Sequence, residues 1–450
     1  MARPTSLSGF PEYLPAGRIV EQHVLDVVRR VFERHGFASI ETRAVEPLEQ
    51  MLRKGEIDKE VYVLRRLHAA PDEGDAGLGL HFDLTVPLAR YVLENAGHLH
   101  FPLRRYQIQK VWRGERPQEG RSREFTQADI DVIGQDTLAP HHEIEVALVM
   151  AEVFQELPCP PAVMLVNNRR LAEGFFLGAG ASDTAAALRA IDKLGKIGPA
   201  KVTDLLVTQA GLSPEGAKQC LAMAAIRTED TSFVAEVRAL GVANPLLDQG
   251  LAELEAVMAV ASARMPGAVV ADLSIARGLD YYTGTVYETQ LVGYESLGSV
   301  CSGGRYDALA SDGRTTYPGV GIALGVTRLL AVLIGRGLVT ASRSVPTCVL
   351  VAVADEDHRG ASEDAATRLR ARGVNTEVAP SAAKFGKQIR YADRRGIPYV
   401  WFPDADGTHS VKDIRSGEQV SADPGVWSPP PEDRYPVVTM VQPESKEHPA

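Results

Sequence analysis

Arg113-Gly-Glu115, a loop, and Arg121-Ser-Arg-Glu-Phe125 put arginines on both sides of a short polar segment. Guanidinium groups pair bidentately with phosphate oxygens, so arginines on the two arms of a hairpin can grip a triphosphate. A phenylalanine opening the second arm can stack on a purine. A basic hairpin resting in solvent explains the same residues equally well. Between Phe101 and Arg123, Arg104, Arg105, Lys110, Arg113, Arg116, Arg121 and Arg123 stand against Glu115 and Glu119, and a charge run is often a solvated face. Gly319-Val-Gly-Ile-Ala-Leu-Gly325-Val-Thr-Arg328 offers close backbone approach and an arginine that can cover a flat base. Taken alone, glycine kept for packing is the stronger reading there. Arg277-Gly-Leu-Asp-Tyr-Tyr-Thr-Gly284 crowds an arginine, an aspartate and two tyrosines together. Tyrosine brings a hydroxyl on an apolar ring, which suits a small planar polar ligand. Cys301-Ser-Gly-Gly-Arg-Tyr-Asp307 reads as a glycine turn presenting another arginine and tyrosine. A plain polar turn is the competing reading of both.

These residues need elements to hold them. Residues 18–36 form an amphipathic helix by the spacing of Ile19, Val20, Val24, Val27, Val28 and Val31. Residues 37–45 read as a strand. Residues 101–112 and 125–133 are strand-like, with nearly strict alternation from Tyr106 to Trp112, and a charged loop joins them into an antiparallel hairpin. The chain changes character near Asn167, and residues 181–264 are alanine-rich and helical. Ser213-Pro214 there is a helix start, with serine as N-cap and proline at the first helical position. Strand-like sequence returns at 268–273 and 283–291, and 319–330 passes from strand to helix. From about Val345, strand and helix alternate, which predicts a small α/β domain with a mostly parallel sheet. On its second helix Lys384, Lys387, Arg390, Arg394 and Arg395 fall on one side, and Phe385, Ile389 and Ala392 on the other. The proline-rich, charged tail after Ser421 is expected to be poorly ordered.

Composition sets the bounds. At about 150 residues per domain, 450 residues suggest about three units. An apolar fraction of 45% supports a sizeable core. No run of eighteen or more apolar residues suggests a membrane span, and residues 1–17 lack the pattern of a secretory signal. Cys159, Cys220, Cys301 and Cys348 have no metal-ligand spacing, so a reduced cytoplasmic protein is expected. The net charge of −10 argues weakly against a nucleic-acid partner, but binding depends on local patches.

Together the segments resemble histidyl-tRNA synthetases of the class II fold, from about Pro11 to Gln419. The hairpin is similar to the second class motif and residues 319–330 to the third. Residues 277–284 and 302–306 resemble the two signatures of the histidine-specific members, and these are more specific than the class motifs. Phe82-Asp-Leu-Thr-Val-Pro87 resembles the family's amino-acid-binding strand, and residues 411–419 the end of its anticodon domain. The resemblance implies an α+β fold with an antiparallel-sheet catalytic domain, a helical insertion and a C-terminal α/β anticodon-binding domain. The expected layout is 1–167 and 268–344 catalytic, 168–267 insertion, 345–420 anticodon-binding, and 421–450 an extended tail.

The resemblance also implies roles. Asp83, Thr85 and Gln127 would hold the histidine ammonium group, and Asp131, Tyr281, Tyr282 and Tyr306 would line the side-chain pocket. Arg113 and Arg277 would contact both the histidine and the reacting α-phosphate. Glu115, Arg121, Phe125 and Arg328 would bind ATP, with Mg2+ on the pyrophosphate side. Arg116 and Gln118 would meet the acceptor end of tRNA(His). A cytoplasmic homodimer is expected. Arg43 stands where the family's first motif usually has proline, in the expected dimer interface, and Thr327 stands where the third motif usually has glutamate. Two rivals lack the chemistry: a synthetase-like regulatory subunit of histidine biosynthesis, and a tRNA-sensing domain. Such regulatory paralogs typically lack the 277–284 signature and the C-terminal domain, both present in this chain.

Overall fold

The computed structural model describes residues 5–52, 60–68, 77–276, 282–308, 310–404 and 407–441. The chain divides into two compact units: residues 1–11 with 25–331, and residues 12–24 with 332–450.

Helix α1 (Pro15–Arg34) buries Val20, Val24, Val27, Val28 and Val31, the stripe its spacing predicts. The strand expected over 37–45 is broken. Only β1 (Ala38–Ser39) and β2 (Val45–Pro47) form. Between them, Gln109 Nε2 donates to the Thr42 carbonyl (3.0 Å) and Gln107 Nε2 to the Thr42 hydroxyl oxygen (2.9 Å), so side chains replace a ladder. After the short α2 (Leu48–Met51), β3 (Tyr62–Val63) and β4 (Leu78–Leu80) join β2 in a three-stranded sheet, and α3 (Thr85–Asn95) follows.

The first unit is built on a nine-stranded sheet. Its members are β1, β5 (Leu103–Trp112), β6 (Glu124–Ile133), β7 (Ala162–Asn168), β8 (Arg227–Thr228), β9 (Val269–Asp272), β10 (Thr285–Leu291), β11 (Cys301–Tyr306) and β12 (Gly319–Gly325). The spatial order is β1-β5-β6-β12-β11-β10-β7-β9-β8, antiparallel except at β1/β5 and β7/β9. Helix α4 (His141–Glu156) connects β6 to β7. Six helices lie between β7 and β9: α5 (Arg169–Gly178), α6 (Thr184–Ile191), α7 (Leu194–Thr208), α8 (Pro214–Ala224), α9 (Phe233–Ala239) and α10 (Pro245–Arg264). Ser213 caps α8 as its sequence predicts, its Oγ accepting from Gly216 N at 3.1 Å. After β12 the chain passes directly into α11 (Val326–Leu333).

The second unit opens with β13 (Val339–Ala341) and continues through β14 (Val349–Val351), α12 (Arg359–Ala371), β15 (Thr376–Val378), α13 (Phe385–Arg395), β16 (Tyr399–Pro403), β17 (His409–Asp413) and β18 (Gln419–Ser421). Its sheet, β15-β14-β16-β17-β18, is mixed rather than mostly parallel. The helices return the chain to parallel β14, β15 and β16. Beyond β16, Asp404 N donates to Thr408 O at 2.8 Å, and β17 runs back antiparallel.

Residues 422–441 also depart from expectation, and the rest of the tail lies outside the described residues. Trp427 packs edge-on against Trp401 at 5.6 Å, α14 (Pro431–Arg434) follows, and β19 (Val438–Met440) pairs with β13. The buried Arg343 donates to the carbonyls of Asp433 (2.8 Å) and Arg434 (3.1 Å). A proline-rich composition signals disorder only when nothing anchors the backbone, and here a buried guanidinium and a strand pairing do. Among the described residues no helix is long and apolar enough to cross a membrane.

Candidate active site

The β5–β6 hairpin has one polar face. Its register sets Arg105 opposite Asp131, Gln107 opposite Asp129, and Gln109 opposite Gln127. Successive side chains alternate between faces, so the intervening Tyr106, Ala128, Ile130 and Val132 point to the other side and are buried there. Strand β12 lies on the far side of β6, with Gly321 opposite Asp131 and Gly325 opposite Gln127. Strand β11 follows, with Tyr306 opposite Gly319.

One end of this face opens into a cavity of about 270 Å³, lined by Glu60, Arg113, Glu115, Arg121, Phe125, Gln127, Ser302, Thr327 and Arg328. The Arg113 guanidinium lies 5.1 Å from the centre of the Phe125 ring, and its Nε donates to Phe82 O at 3.0 Å. Arg121 pairs with Glu115 at 3.1 Å. Arg328 donates to Leu297 O. Two cationic side chains, an aromatic ring and a further arginine thus converge where the sequence predicts a nucleotide site. Arg116 and Gln118 are exposed at the hairpin tip, which Gln118 and Arg121 close by reciprocal backbone hydrogen bonds.

Farther along, Thr85, Asp129, Asp131, Tyr282, Ser302 and Tyr306 line a narrower cavity. Tyr306 Oη donates to Asp131 Oδ1 at 2.7 Å. Burial, then the Asp131 carboxylate, raises the Tyr306 hydroxyl well above the ordinary phenol range. The same causes, with Asp129 and Asp83, raise Tyr282. Both phenols therefore stay neutral and able to donate at physiological pH. Asp83 is buried, and its Oδ1 accepts from Val86 N at 3.0 Å.

Two local expectations change. Residues 82–87 are not a strand: Asp83 ties down the first turn of α3, which Thr85 opens. Residues 301–306 are not a turn but strand β11. Its glycines, like those of β12, make room. A Cβ at Gly304 would lie 2.7 Å from the Tyr282 ring, one at Gly319 2.4 Å from the Tyr306 ring, and one at Gly321 2.0 Å from Asp131 Oδ1. These glycines shape the narrow cavity. Gly321→Ala should displace Asp131, which Tyr306 and Arg105 hold on either side. The expected result is a Kd for the ligand of this narrow cavity raised about tenfold or more, with Kd at the larger cavity within about twofold. Equal increases in both would contradict a local effect.

Arg277 and Tyr281 lie outside the described residues. Both flanks of their segment are pinned: Asn167 Nδ2 donates to Ile275 O (2.8 Å), and Thr283 N donates to Arg305 O (2.7 Å). Arg305 is no ligand-facing arginine. It pairs with Glu143 and Asp307, both at 3.0 Å. Sequence reasoning does not single out Ser302, Asp129 and Arg105 as site residues. Alternating polar residues on both hairpin strands are the available signal, but such a face normally meets solvent. Thr327 is buried, and its Oγ1 accepts from Thr126 N at 2.8 Å, fastening α11 to β6 beside the larger cavity.

Residues 9–329 match the family model for histidyl-tRNA synthetase, and residues 347–424 that for an anticodon binding domain. The histidine–tRNA ligase of Cutibacterium acnes is 61% identical, the match covering 97% of this chain and 99% of that protein. That of Micrococcus luteus is 61% identical, covering 98% and 100%. The crystal structure of histidyl-tRNA synthetase from Nostoc sp. PCC 7120 superposes with a TM-score of 0.84 at 35% identity, covering 94% of this chain and 97% of that one. With the family model spanning well over half the chain and near-complete coverage by close relatives, this chain belongs to the histidyl-tRNA synthetase family.

Proposed function

We infer that this chain is a histidine–tRNA ligase, which makes histidyl-adenylate and pyrophosphate from histidine and ATP and then transfers histidine to the 3' end of tRNA(His). One observation carries the reading: a single polar sheet face joins a cavity of arginines and phenylalanine to a narrow pocket of neutral phenols and carboxylates. The first suits a nucleotide triphosphate, the second a small polar ring.

In the first step an oxygen of the histidine carboxylate attacks the α-phosphorus of ATP. The new O–P bond forms as the bond to the β-phosphate oxygen breaks and pyrophosphate leaves. In the second, a hydroxyl of the terminal ribose attacks the activated carbonyl and AMP leaves. No protein nucleophile is required. Positioning and neutralisation of developing charge supply the rate. Arg113 and Arg277 are assigned this task on opposite sides of the α-phosphate. Phe125 and Arg328 sandwich adenine, while Glu115 and Arg121 hold the rest of the nucleotide. Asp83, Thr85 and Gln127 take the ammonium group. Asp131, Tyr281, Tyr282 and Tyr306 take the imidazole. A pocket of this kind rejects a side chain that leaves its buried polar groups unpaired by roughly 10⁴-fold or more. Arg116 and Gln118 meet the acceptor end, and residues 345–420 the anticodon. The same reading makes the chain a cytoplasmic homodimer, with 168–267 inserted between the two catalytic parts.

Mg2+ typically keeps several waters and binds substrate phosphates with one or two carboxylates. Among the described residues no three ligating side chains gather into a metal site. Glu115 and Glu60, at the edge of the larger cavity, fit that modest role. Glu115 and Glu60 would hold the ion there, where it would supply charge neutralisation to the leaving pyrophosphate. Thr327→Glu places a carboxylate beside this cavity and removes the hydroxyl that accepts from Thr126 N. The magnesium dependence of exchange should shift more than KM for histidine. Superimposable magnesium titrations would show the departure from glutamate to be silent.

Histidine-dependent exchange of pyrophosphate into ATP, followed by charging of tRNA, tests the whole reading. A protein that binds histidine or tRNA yet exchanges no pyrophosphate would be a regulatory or sensing relative instead.

A further inference from the structure

Arg105 stands out among the basic residues of its segment because none of it reaches solvent. It lies directly across the hairpin from Asp131, and its Nη2 pairs with Asp131 Oδ2 at 2.5 Å. Asp131 itself is only 4% exposed, and its other oxygen accepts from Tyr306 Oη at 2.7 Å. One side chain of the ligand cavity is therefore gripped from behind by a permanent cation and from the side by a neutral phenol. Among the described residues two further carboxylates, Asp129 on the same strand and Asp83 before α3, act with Asp131 on Tyr282. A guanidinium in this place opposes that accumulated negative charge.

We propose that Arg105 is a positioning residue that determines specificity by holding Asp131 as a fixed, ionised acceptor for an imidazole N–H. This rests on the assignment of Asp131 to the histidine side-chain pocket. An ionised carboxylate accepts hydrogen bonds and donates none. One of its oxygens accepts from Tyr306 and the other faces the Arg105 cation, so a ring that meets this carboxylate must donate. Without the cation, a buried carboxylate beside two others has a strong incentive to take a proton or swing away. A protonated Asp131 would offer a donor to a ring that has only an acceptor, and discrimination would fall.

The test compares histidine with thiazolylalanine, whose five-membered ring has no N–H, in pyrophosphate exchange by the full-length protein. In Arg105→Met the KM for histidine should rise about 10–100-fold, the span of a lost charge-assisted hydrogen bond, with kcat changing much less. The preference in kcat/KM for histidine over thiazolylalanine should shrink by about tenfold or more. Arg105→Lys should restore part of that preference, because charge survives without the planar fork. A purely structural residue would lower both substrates alike, and lysine would do no better than methionine; either result overturns the proposal. Should Arg105→Met fail to fold, the pair Asp131→Asn and Arg105→Met/Asp131→Asn decides. A neutral amide no longer needs the cation, so the double variant should match the preference of Asp131→Asn within about twofold. A further independent loss in the double variant would overturn the proposal. A wild-type protein without histidine-dependent exchange would instead sink the ligase reading itself.

Discussion

Arg277→Ala should lose at least about 10²–10³ in histidine-dependent pyrophosphate exchange, the usual cost of removing one preorganised electrostatic donor. As the α-phosphorus becomes five-coordinate, charge grows on its oxygens, and Arg113 alone lies on one side of them in the proposed arrangement. Residues 277–281 fall outside the described structure, but both flanks of the segment are hydrogen-bonded in place. Tyr282, just beyond it, lines the narrow cavity, and Ile275 and Ala276, just before it, line the wide cleft next to the hairpin tip. Histidine affinity should fall less than the rate, because the cation acts chiefly in the transition state. Arg277→Lys should recover only part of the loss, since a point charge does not reproduce the planar fork. Thermal unfolding should move little. A near-normal exchange rate in the alanine variant would remove Arg277 from the reaction. A collapsed melting temperature alongside lost activity would make it a structural residue of the turn.

Periodicity makes part of this molecule legible in its sequence. The hairpin of β5 and β6 follows from alternation, and α13 from one-sided charge. Neither pattern reveals which polar residues are covered. Arg105 counts as one more basic residue in a charged run, although it is the fully buried member; Arg116, in the same run, is exposed. The difference lies in what folds over the hairpin, a long-range matter that local spacing does not carry. Gly303-Gly304 suggests a turn because glycine usually marks one. In the structure these glycines sit within a strand, where the Gly321 carbonyl and the Tyr282 ring come too close for any side chain. Asp83 looks like a strand residue because its neighbours are apolar, yet its carboxylate accepts from the first turn of a helix. In each case the residue type is informative and the element is misread, because the constraint comes from a partner far away in sequence.

Removing the outward charges of α13 should uncouple the two halves of the reaction. Lys384, Lys387, Arg390 and Arg394 are exposed, while Gln388 on the opposite side bonds both Val353 N (3.0 Å) and Val353 O (2.8 Å) and fixes the helix to its sheet. Arg395, grouped by sequence with the outer row, turns to Glu377 and the Tyr391 ring instead. Phe385, assigned to the inner side, is 44% exposed and rests edge-on against Phe402 at 5.1 Å. Four cations with an aromatic edge at one end are suited to a nucleic-acid strand. Deleting the domain would be a poor test, because β13 would lose its partner β19. Replacing Lys384, Lys387, Arg390 and Arg394 with serine leaves the packing of the helix on its sheet in place. Pyrophosphate exchange should stay within about twofold of wild type, since its cavities belong to the other unit. Charging of tRNA should fall on the order of 10- to 100-fold in kcat/KM at moderate salt, and the slope of log K against log salt should flatten by about 0.7–0.9 for every phosphate that is no longer neutralised. If the fourfold variant charges tRNA normally with an unchanged salt slope, the cationic face serves something other than tRNA, and the anticodon must be met by another surface of residues 345–420.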